Sequence, residues 1–174
     1  MRHVRLIAFA VVLAMALLSP QTAAAAGKPL RFPAQPPIGT FDAGLLCPFP
    51  VYTEPVGPIQ TVTLFFDASG NVTKITFTGA GFELFRNADT GKTVVLNVSG
   101  EGTLVPQADG STLGFGAGPG LFGLFPGDSR GPALLQVFGR DKFTITAPDA
   151  NGVSHITNLV LIGKVIDVCA LLAA

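Results

Sequence analysis

The sequence predicts an all-β protein, a single-domain antiparallel β-barrel or β-sandwich of about 8 to 10 short strands. Three observations predict this fold class. Apolar and polar residues alternate along short segments, which is the period of a β-strand. Asp, Asn and Gly recur between these segments, as in tight turns. Gly and Phe are abundant, Trp is absent and only 13% of the residues are charged, a composition that favours strands joined by turns over amphipathic helices.

Residues 1–26 have the pattern of a cleaved secretory signal peptide. Arg2 and Arg5 precede an apolar segment over residues 6–18, and small residues up to Ala26 provide a cleavage site. The apolar segment is shorter than the roughly 20 residues that a membrane-spanning helix needs. We therefore expect a secreted (extracellular) protein with no membrane span after signal cleavage.

The segment that follows the signal peptide is rich in proline. Residues 27–40 contain four prolines and no hydrophobic period, so we expect a flexible Pro-rich leader. The β-barrel or sandwich domain is expected to cover residues 41–174. The first strand, over residues 47–53, is flanked by further prolines, and because proline donates no ladder hydrogen bond we expect this strand at an edge or a bulge.

The centre of the domain predicts a series of hairpins. Residues 59–66 and 72–78 alternate between apolar and polar side chains around a turn in which Gly70 supplies a positive φ. The same pattern then repeats. The remaining predicted strands and turns are residues 82–87, 88–91, 92–100, 108–110, 142–146 and 149–152.

The longest apolar run beyond the signal peptide covers residues 155–172. This run is too long for one straight strand. Gly163 in its middle indicates a bulge or bend, so we expect two strand segments over residues 154–162 and 164–169.

The two cysteines of the chain, Cys47 and Cys169, predict a structural disulfide. Paired cysteines are the usual state in an exported protein of this size. The bridge would join the N-terminal and C-terminal strands. Closing a loop of about 100 residues stabilises a fold by roughly 4–5 kcal/mol on the chain-entropy estimate.

Residues 113–131 break the strand pattern because glycines and two prolines alternate with large apolar side chains. This composition is too flexible for an interior strand and too apolar for an idle loop. We interpret the segment either as a plug for one end of the barrel, as a mobile lid over a ligand mouth, or as an interaction surface. The residues concerned are Phe115, Leu121, Phe122, Leu124 and Phe125.

Few residues are suited to catalysis, and we assign no catalytic residue. His155 is the one histidine beyond the signal peptide, and its neighbour Ser154 faces the opposite side of a strand. Glu83, Glu101 and Asp167 are the acidic residues not already explained by turns. A small secreted hydrolase or isomerase would need at least two of these four candidates, His155 included, to converge in one barrel pocket.

The sequence predicts no cofactor, metal or nucleic-acid site. With the cysteines paired, zinc would have only one of its usual Cys and His ligands, and the turns lack the spacing of a calcium loop. Removing Arg2 and Arg5 from the 11 basic residues leaves 9 against 11 acidic ones. This weak acidity, without a basic stripe along the sequence, is not typical of a protein that neutralises nucleic-acid phosphates.

Four motifs occur in order along the domain: Cys47-Pro48-Phe49-Pro50-Val51, residues 87–100, Asp109-Gly110-Ser111, and residues 163–172 ending in V-I-D-V-C-A-L-L. In this order they resemble a family of small exported actinobacterial proteins of unknown function with a terminal cysteine pair. The resemblance implies an all-β secreted domain with a terminal disulfide. It implies no activity.

The leading hypothesis is a secreted non-enzymatic β domain that binds a small apolar ligand inside the barrel or a cell-surface partner. One alternative is the small hydrolase or isomerase with acidic residues in a barrel pocket. Another is a structural module associated with the cell wall. A hollow interior would favour the ligand, and a solid core would favour the structural module. The oligomeric state is left open.

Overall fold

The computed structural model describes residues 28–173, so the predicted signal peptide lies outside the described residues. The described chain is all-β, as predicted, with two antiparallel sheets and a short C-terminal helix. The elements are β1 (Leu30–Pro33), β2 (Gly39–Phe41), β3 (Val51–Pro55), β4 (Thr61–Phe66), β5 (Val72–Thr78), β6 (Phe82–Asn87), β7 (Thr93–Asn97), β8 (Glu101–Pro106), β9 (Thr112–Leu124), β10 (Ala133–Ile145), β11 (Ile156–Asp167) and α1 (Val168–Ala173).

The two sheets differ in size. Sheet A has seven strands in the order β1-β4-β5-β8-β9-β10-β11, and sheet B has four in the order β2-β3-β6-β7. The hairpins predicted from alternation are confirmed as β4–β5 and β6–β7. In the first, Val62 and Leu64 lie opposite Phe77 and Ile75, and Gly70 has a φ of 85° in the turn.

Two strands lie in or at the end of the proline-rich segment that follows the predicted signal peptide. Strand β1 lies within residues 27–40, and β2 begins there and ends at Phe41, so both fall in the segment where we expected a flexible leader. Strand β3 pairs with both β2 and β6, so the expected edge position is wrong. The physical reason is that Pro48 and Pro50 precede β3 and Pro55 ends it, which leaves the ladder between them uninterrupted.

The glycine-rich segment forms an interior strand of sheet A, although its composition indicated that it is too flexible for one. Residues 112–124 form β9, which pairs with β10 along its whole length and with β8 over its first half. Side chains of β10 fill the space that the glycines leave. A β carbon at Gly114 would collide with the ring of Phe143, and one at Gly116 with the carboxylate of Asp141. Cross-strand packing of this kind compensates for the low strand propensity of glycine.

Strand β11 runs without interruption through Gly163, so the prediction of two separate strands is wrong. Its backbone is nevertheless distorted there, because Gly163 has a φ of 121° and lies opposite Gly139, which lies opposite Gly118 with a φ of 95°. These three glycines form one row across β9, β10 and β11. A further irregularity in the β10–β11 register lies beside Asn158, whose φ is 52°.

The predicted disulfide between Cys47 and Cys169 is confirmed, with 5.5 Å between the Cα atoms. It links the loop before β3 to α1, since Cys169 lies in the helix and not in a strand. The first turn of α1 is capped by the carboxylate of Asp167, which accepts a hydrogen bond from the backbone N–H of Ala170 at 3.0 Å. The helix carbonyl of Leu172 accepts a further bond from the buried Asn87 side chain at 3.2 Å.

Two clusters of buried side chains hold the sheets. The first lies between sheet A, sheet B and α1, and it consists of Leu46, Cys47, Val51, Phe85, Leu96, Leu134, Val168 and Leu172. The second lies on one face of sheet A, and it consists of Phe122, Leu124, Val137 and Leu159. Leu124, Leu134, Val51, Val137, Val168 and Leu172 are at most 1% exposed, so the space between the elements is filled by close packing at these positions.

We predict that replacing both bridge cysteines with alanine lowers the free energy of unfolding by about 5 kcal/mol, because the bridge closes a loop with a sequence separation of 122. Urea unfolding of the non-reduced protein measures this difference. Reduced wild-type protein should match the variant. A loss below about 1 kcal/mol would contradict the stabilising role of the bridge.

We also predict that Gly114→Ala destabilises the fold by about 1–3 kcal/mol, because the added methyl group collides with the ring of Phe143. Gly120→Ala is the matched control in the same strand, since the nearest atom to its β carbon is 3.8 Å away. The control should be neutral or slightly stabilising. Equal unfolding midpoints in urea for the two variants would show that Phe143 does not fill the Gly114 site.

Candidate functional site

Most of the exposed charged side chains of sheet A lie on one side, which we call the open face. It is formed by side chains that point away from the second cluster, at levels that sheet B does not cover. Three rows of directly opposed residues cross it. These rows are Arg31-Thr63-Thr76-Thr103-Phe115-Lys142-Val160, then Glu101-Ala117-Arg140-Ile162, then Pro119-Phe138-Lys164.

Sheet B covers the neighbouring part of the same side. The next row beyond Phe138 contains Gln136, which is 4% exposed and donates a hydrogen bond to the carbonyl of Asn97 in β7 at 2.9 Å. Leu134 follows at 1% exposure within the first cluster. The strands β9, β10 and β11 therefore contribute to the core at one end and to the open face at the other.

The charges on the open face are mostly positive. Five of the nine basic residues that follow position 26 lie there, with one of the eleven acidic residues, Glu101. The basic residues are Arg31, Arg140, Lys142 and Lys164, together with Lys74, which lies two residues before Thr76 on the same side of β5, and all are exposed. Within residues 28–173 Asp128 and His155 form an ion pair, whereas none of these five basic residues is within ion-pair distance of a carboxylate. The open face is thus a basic surface on a weakly acidic chain.

Large apolar side chains are exposed between these charges. Phe115 and Phe138 are each 41% exposed, Val160 is 49% exposed and Ile162 is 63% exposed. The Lys142 ammonium lies 5.9 Å from the centre of the Phe115 ring, close enough for a weak cation–π contact. Beside this ring is an open depression of about 190 Å³ lined by Glu101, Thr103, Phe115, Gly116 and Ala117.

The sequence alone did not predict the open face. Its basic residues come from β1, β5, β10 and β11, which together span residues 30–167. The one local signal is the spacing of Arg140 and Lys142, which places both side chains on the same side of a strand. The pairing register that aligns Arg31 and Lys164 with them follows only from the fold.

The five residues predicted as a plug or ligand mouth do not form one group. Phe115 lies on the open face. Leu121 and Phe125 pack against the first cluster, and Phe122 and Leu124 belong to the second. The rings of Phe125 and Phe41 are 5.9 Å apart, and those of Phe122 and Phe143 meet edge to face at 5.3 Å. Four of the five therefore stabilise the core.

The four residues considered for catalysis lie in four different places. Glu83 is buried at 8% exposure on the core side of sheet B, where its Oε1 accepts a hydrogen bond from the Thr53 hydroxyl at 2.6 Å. Glu101 is on the open face, and Asp167 caps α1. His155 precedes β11. Within the described part of the chain no hydrogen bond or ion pair joins any two of the four.

The hydrogen bonds around His155 account for its position without a catalytic role. Its Nδ1 atom lies 3.2 Å from Oδ1 of Asp128. The same carboxylate accepts backbone hydrogen bonds from Phe125 at 2.7 Å and from Ile156 at 2.9 Å. Asp128 thereby fixes the turn between β9 and β10 to the start of β11, which is a structural role.

Two of the carboxyl groups are perturbed by burial. Burial raises the pKa of Glu83, and the Thr53 hydroxyl opposes this by lowering it. Burial also raises the pKa of Asp141, whose side chain lies over Gly116 in β9. In residues 28–173 no three His, Cys, Asp or Glu side chains are placed to hold a metal ion. Within the same range no helix has the length and apolar character to cross a membrane.

No protein-family model, curated protein or solved structure matches this chain. The resemblance to exported actinobacterial proteins therefore stays a prediction from the motifs. Any functional conclusion rests on the geometry of the open face and on the chemistry of the residues that it brings together.

The burial of Glu83 predicts a pH dependence of stability. Because its pKa is higher in the folded protein than its ordinary value of 4.5, its contribution is fully present below pH 4.5 and is lost as the pH rises through the folded pKa. Glu83→Gln should remove this part of the decline and be more stable than wild type at pH 7. Urea unfolding as a function of pH measures it.

The control is Glu101→Gln, which removes an exposed carboxylate and should not reproduce the gain in stability at pH 7. Asp141 has a pKa raised in the same direction, so the Glu83→Gln profile should flatten without becoming fully level. Identical profiles for wild type and Glu83→Gln would show that the carboxyl group is not desolvated in the folded protein.

Proposed function

We propose that this protein acts outside the cytoplasm as a non-enzymatic binding domain, and that it attaches to an anionic component of the cell surface through the open face of sheet A. Two features support the location. The sequence predicts a secretory signal peptide, and the Cys47–Cys169 bridge is of the kind that forms and persists in oxidising compartments.

The separation of positive from negative charge is the observation that carries this proposal. Five basic side chains lie on the open face with one carboxylate, although acidic residues outnumber basic ones beyond the signal peptide. Charges of one sign that lack partners on the same molecule raise the local concentration of an oppositely charged partner and orient it. A neutral or acidic partner would gain no such steering from these residues.

The shape of the open face supports binding to an extended partner and not to a small molecule. Its three rows run across strands that are hydrogen-bonded to one another, and adjacent strands lie about 4.8 Å apart. The depression beside Phe115 is shallow and open. The residues considered for catalysis lie apart from each other, which favours a binding role over a hydrolase or isomerase.

We predict that Arg140→Gln/Lys142→Gln/Lys164→Gln releases the protein from the cell surface. Mature wild-type protein should sediment with intact cells at low ionic strength and dissociate as salt is raised, because screening weakens charge attraction. The affinity of the triple variant for the cells should be roughly 100-fold lower, since each basic residue near an anionic surface contributes about 1 kcal/mol to binding. Quantifying bound and free protein after centrifugation measures the difference.

The matched control removes three positive charges outside the open face, by Lys28→Gln/Arg86→Gln/Arg130→Gln. It changes the net charge equally and should retain most of the binding. If both triple variants lose binding to the same extent, net charge and not the open face is responsible. If neither loses binding, the proposed function is wrong.

A further inference from the structure

We infer that the anionic component is a lipid surface, and that the β9–β11 part of the open face inserts apolar side chains between anionic headgroups. This inference rests on the proposed function and adds the chemical class of the partner. It is carried by a different observation, which is the exposure of Phe138, Val160 and Ile162 in the middle of the basic residues.

Each of these three apolar side chains lies directly opposite a basic residue of the neighbouring strand. Val160 lies directly opposite Lys142, Ile162 lies opposite Arg140, and Phe138 lies opposite Lys164. Each exposed apolar residue therefore has a basic residue as its cross-strand neighbour on the same face. Directly opposed side chains are about 5 Å apart, so the three pairs form one mixed basic and apolar patch.

A bilayer interface matches both halves of this patch. Its headgroup layer offers negative charge, and the acyl boundary beneath offers an apolar medium for side chains that reach past the headgroups. Lysine and arginine have long apolar stems and keep their charged ends at the headgroup level. The same patch fits a hydrated anionic polymer less well, because Val160 and Ile162 would stay in water or be covered without an apolar partner.

The location of β11 favours insertion. Among the described residues it is the edge strand of sheet A and pairs with β10 alone. Val160 and Ile162 therefore lie along the rim of the open face, where no further strand of sheet A flanks them. From Val160 to Asp167 the strand is paired with β10, so the backbone that carries Val160 and Ile162 is ordered before any partner arrives, which lowers the ordering cost of binding.

The experiment compares three probes with the mature, disulfide-bonded protein: vesicles containing phosphatidylglycerol, vesicles of phosphatidylcholine alone, and long-chain polyphosphate. Wild-type protein should bind the phosphatidylglycerol vesicles and bind phosphatidylcholine vesicles far more weakly. Arg140→Gln/Lys142→Gln/Lys164→Gln should weaken binding to the anionic vesicles about 100-fold.

Val160→Thr/Ile162→Thr is the variant that separates insertion from charge attraction. Both residues are exposed and threonine suits a strand, so the fold should be retained, which urea unfolding checks. Binding to the anionic vesicles should fall about tenfold while binding to polyphosphate is unchanged. Val95→Thr, on an exposed residue of sheet B, is the matched control and should bind like wild type.

The outcomes distinguish the inference from the proposed function. Binding to cells and to polyphosphate without binding to anionic vesicles overturns the lipid inference and leaves the proposed function intact. Equal binding of wild type and Val160→Thr/Ile162→Thr to the anionic vesicles also overturns it, because insertion would then contribute nothing. If the protein binds neither cells nor any of the three probes, both proposals fail.

Discussion

The close backbone approach at the glycine row Gly118, Gly139 and Gly163 is the constraint on which the rest of the structure depends. A β carbon at Gly139 would collide with the carbonyl oxygen of Ile162, and one at Gly163 with that of Phe138. No other residue type fits there without moving the backbone. On one side of this row β9, β10 and β11 lead towards sheet B and the core, and on the other they carry most of the open face. One set of strands thus builds both the packing and the candidate binding surface.

The sequence was informative where the fold depends on local pattern. Alternation around Gly70 predicted the β4–β5 hairpin, and the two cysteines predicted the bridge, because both follow from rules that act along the chain or from cysteine count. Strand β9 was not predictable in this way. Its glycines have low strand propensity, and what stabilises them is the Phe143 ring and the Asp141 side chain, which the register of β10 places over Gly114 and Gly116. Tertiary packing therefore overrides local preference at this strand.

The C-terminal helix was likewise not predictable from local sequence pattern. Residues 168–173 are apolar and follow directly from a strand, so their periodicity does not separate helix from strand. Asp167 was a usable signal, because a carboxylate before an apolar segment is a common N-cap. The predicted strand over residues 164–169 included Asp167 instead. The open face was even harder to predict, since its basic residues come from four strands and only the spacing of Arg140 and Lys142 is visible in the sequence.

The bridge also sets an order of events for a chain made from its N-terminus. Cys169 follows β11 and lies 122 residues after Cys47, so covalent closure cannot precede synthesis of β11. The β4–β5 and β6–β7 hairpins can form from neighbouring segments well before that point. Until the C-terminal helix docks, the Cys47 thiol has no intramolecular partner and the groups around it stay open to oxidants and to mispairing between chains. Docking of α1 is therefore the step that allows the covalent bridge to close.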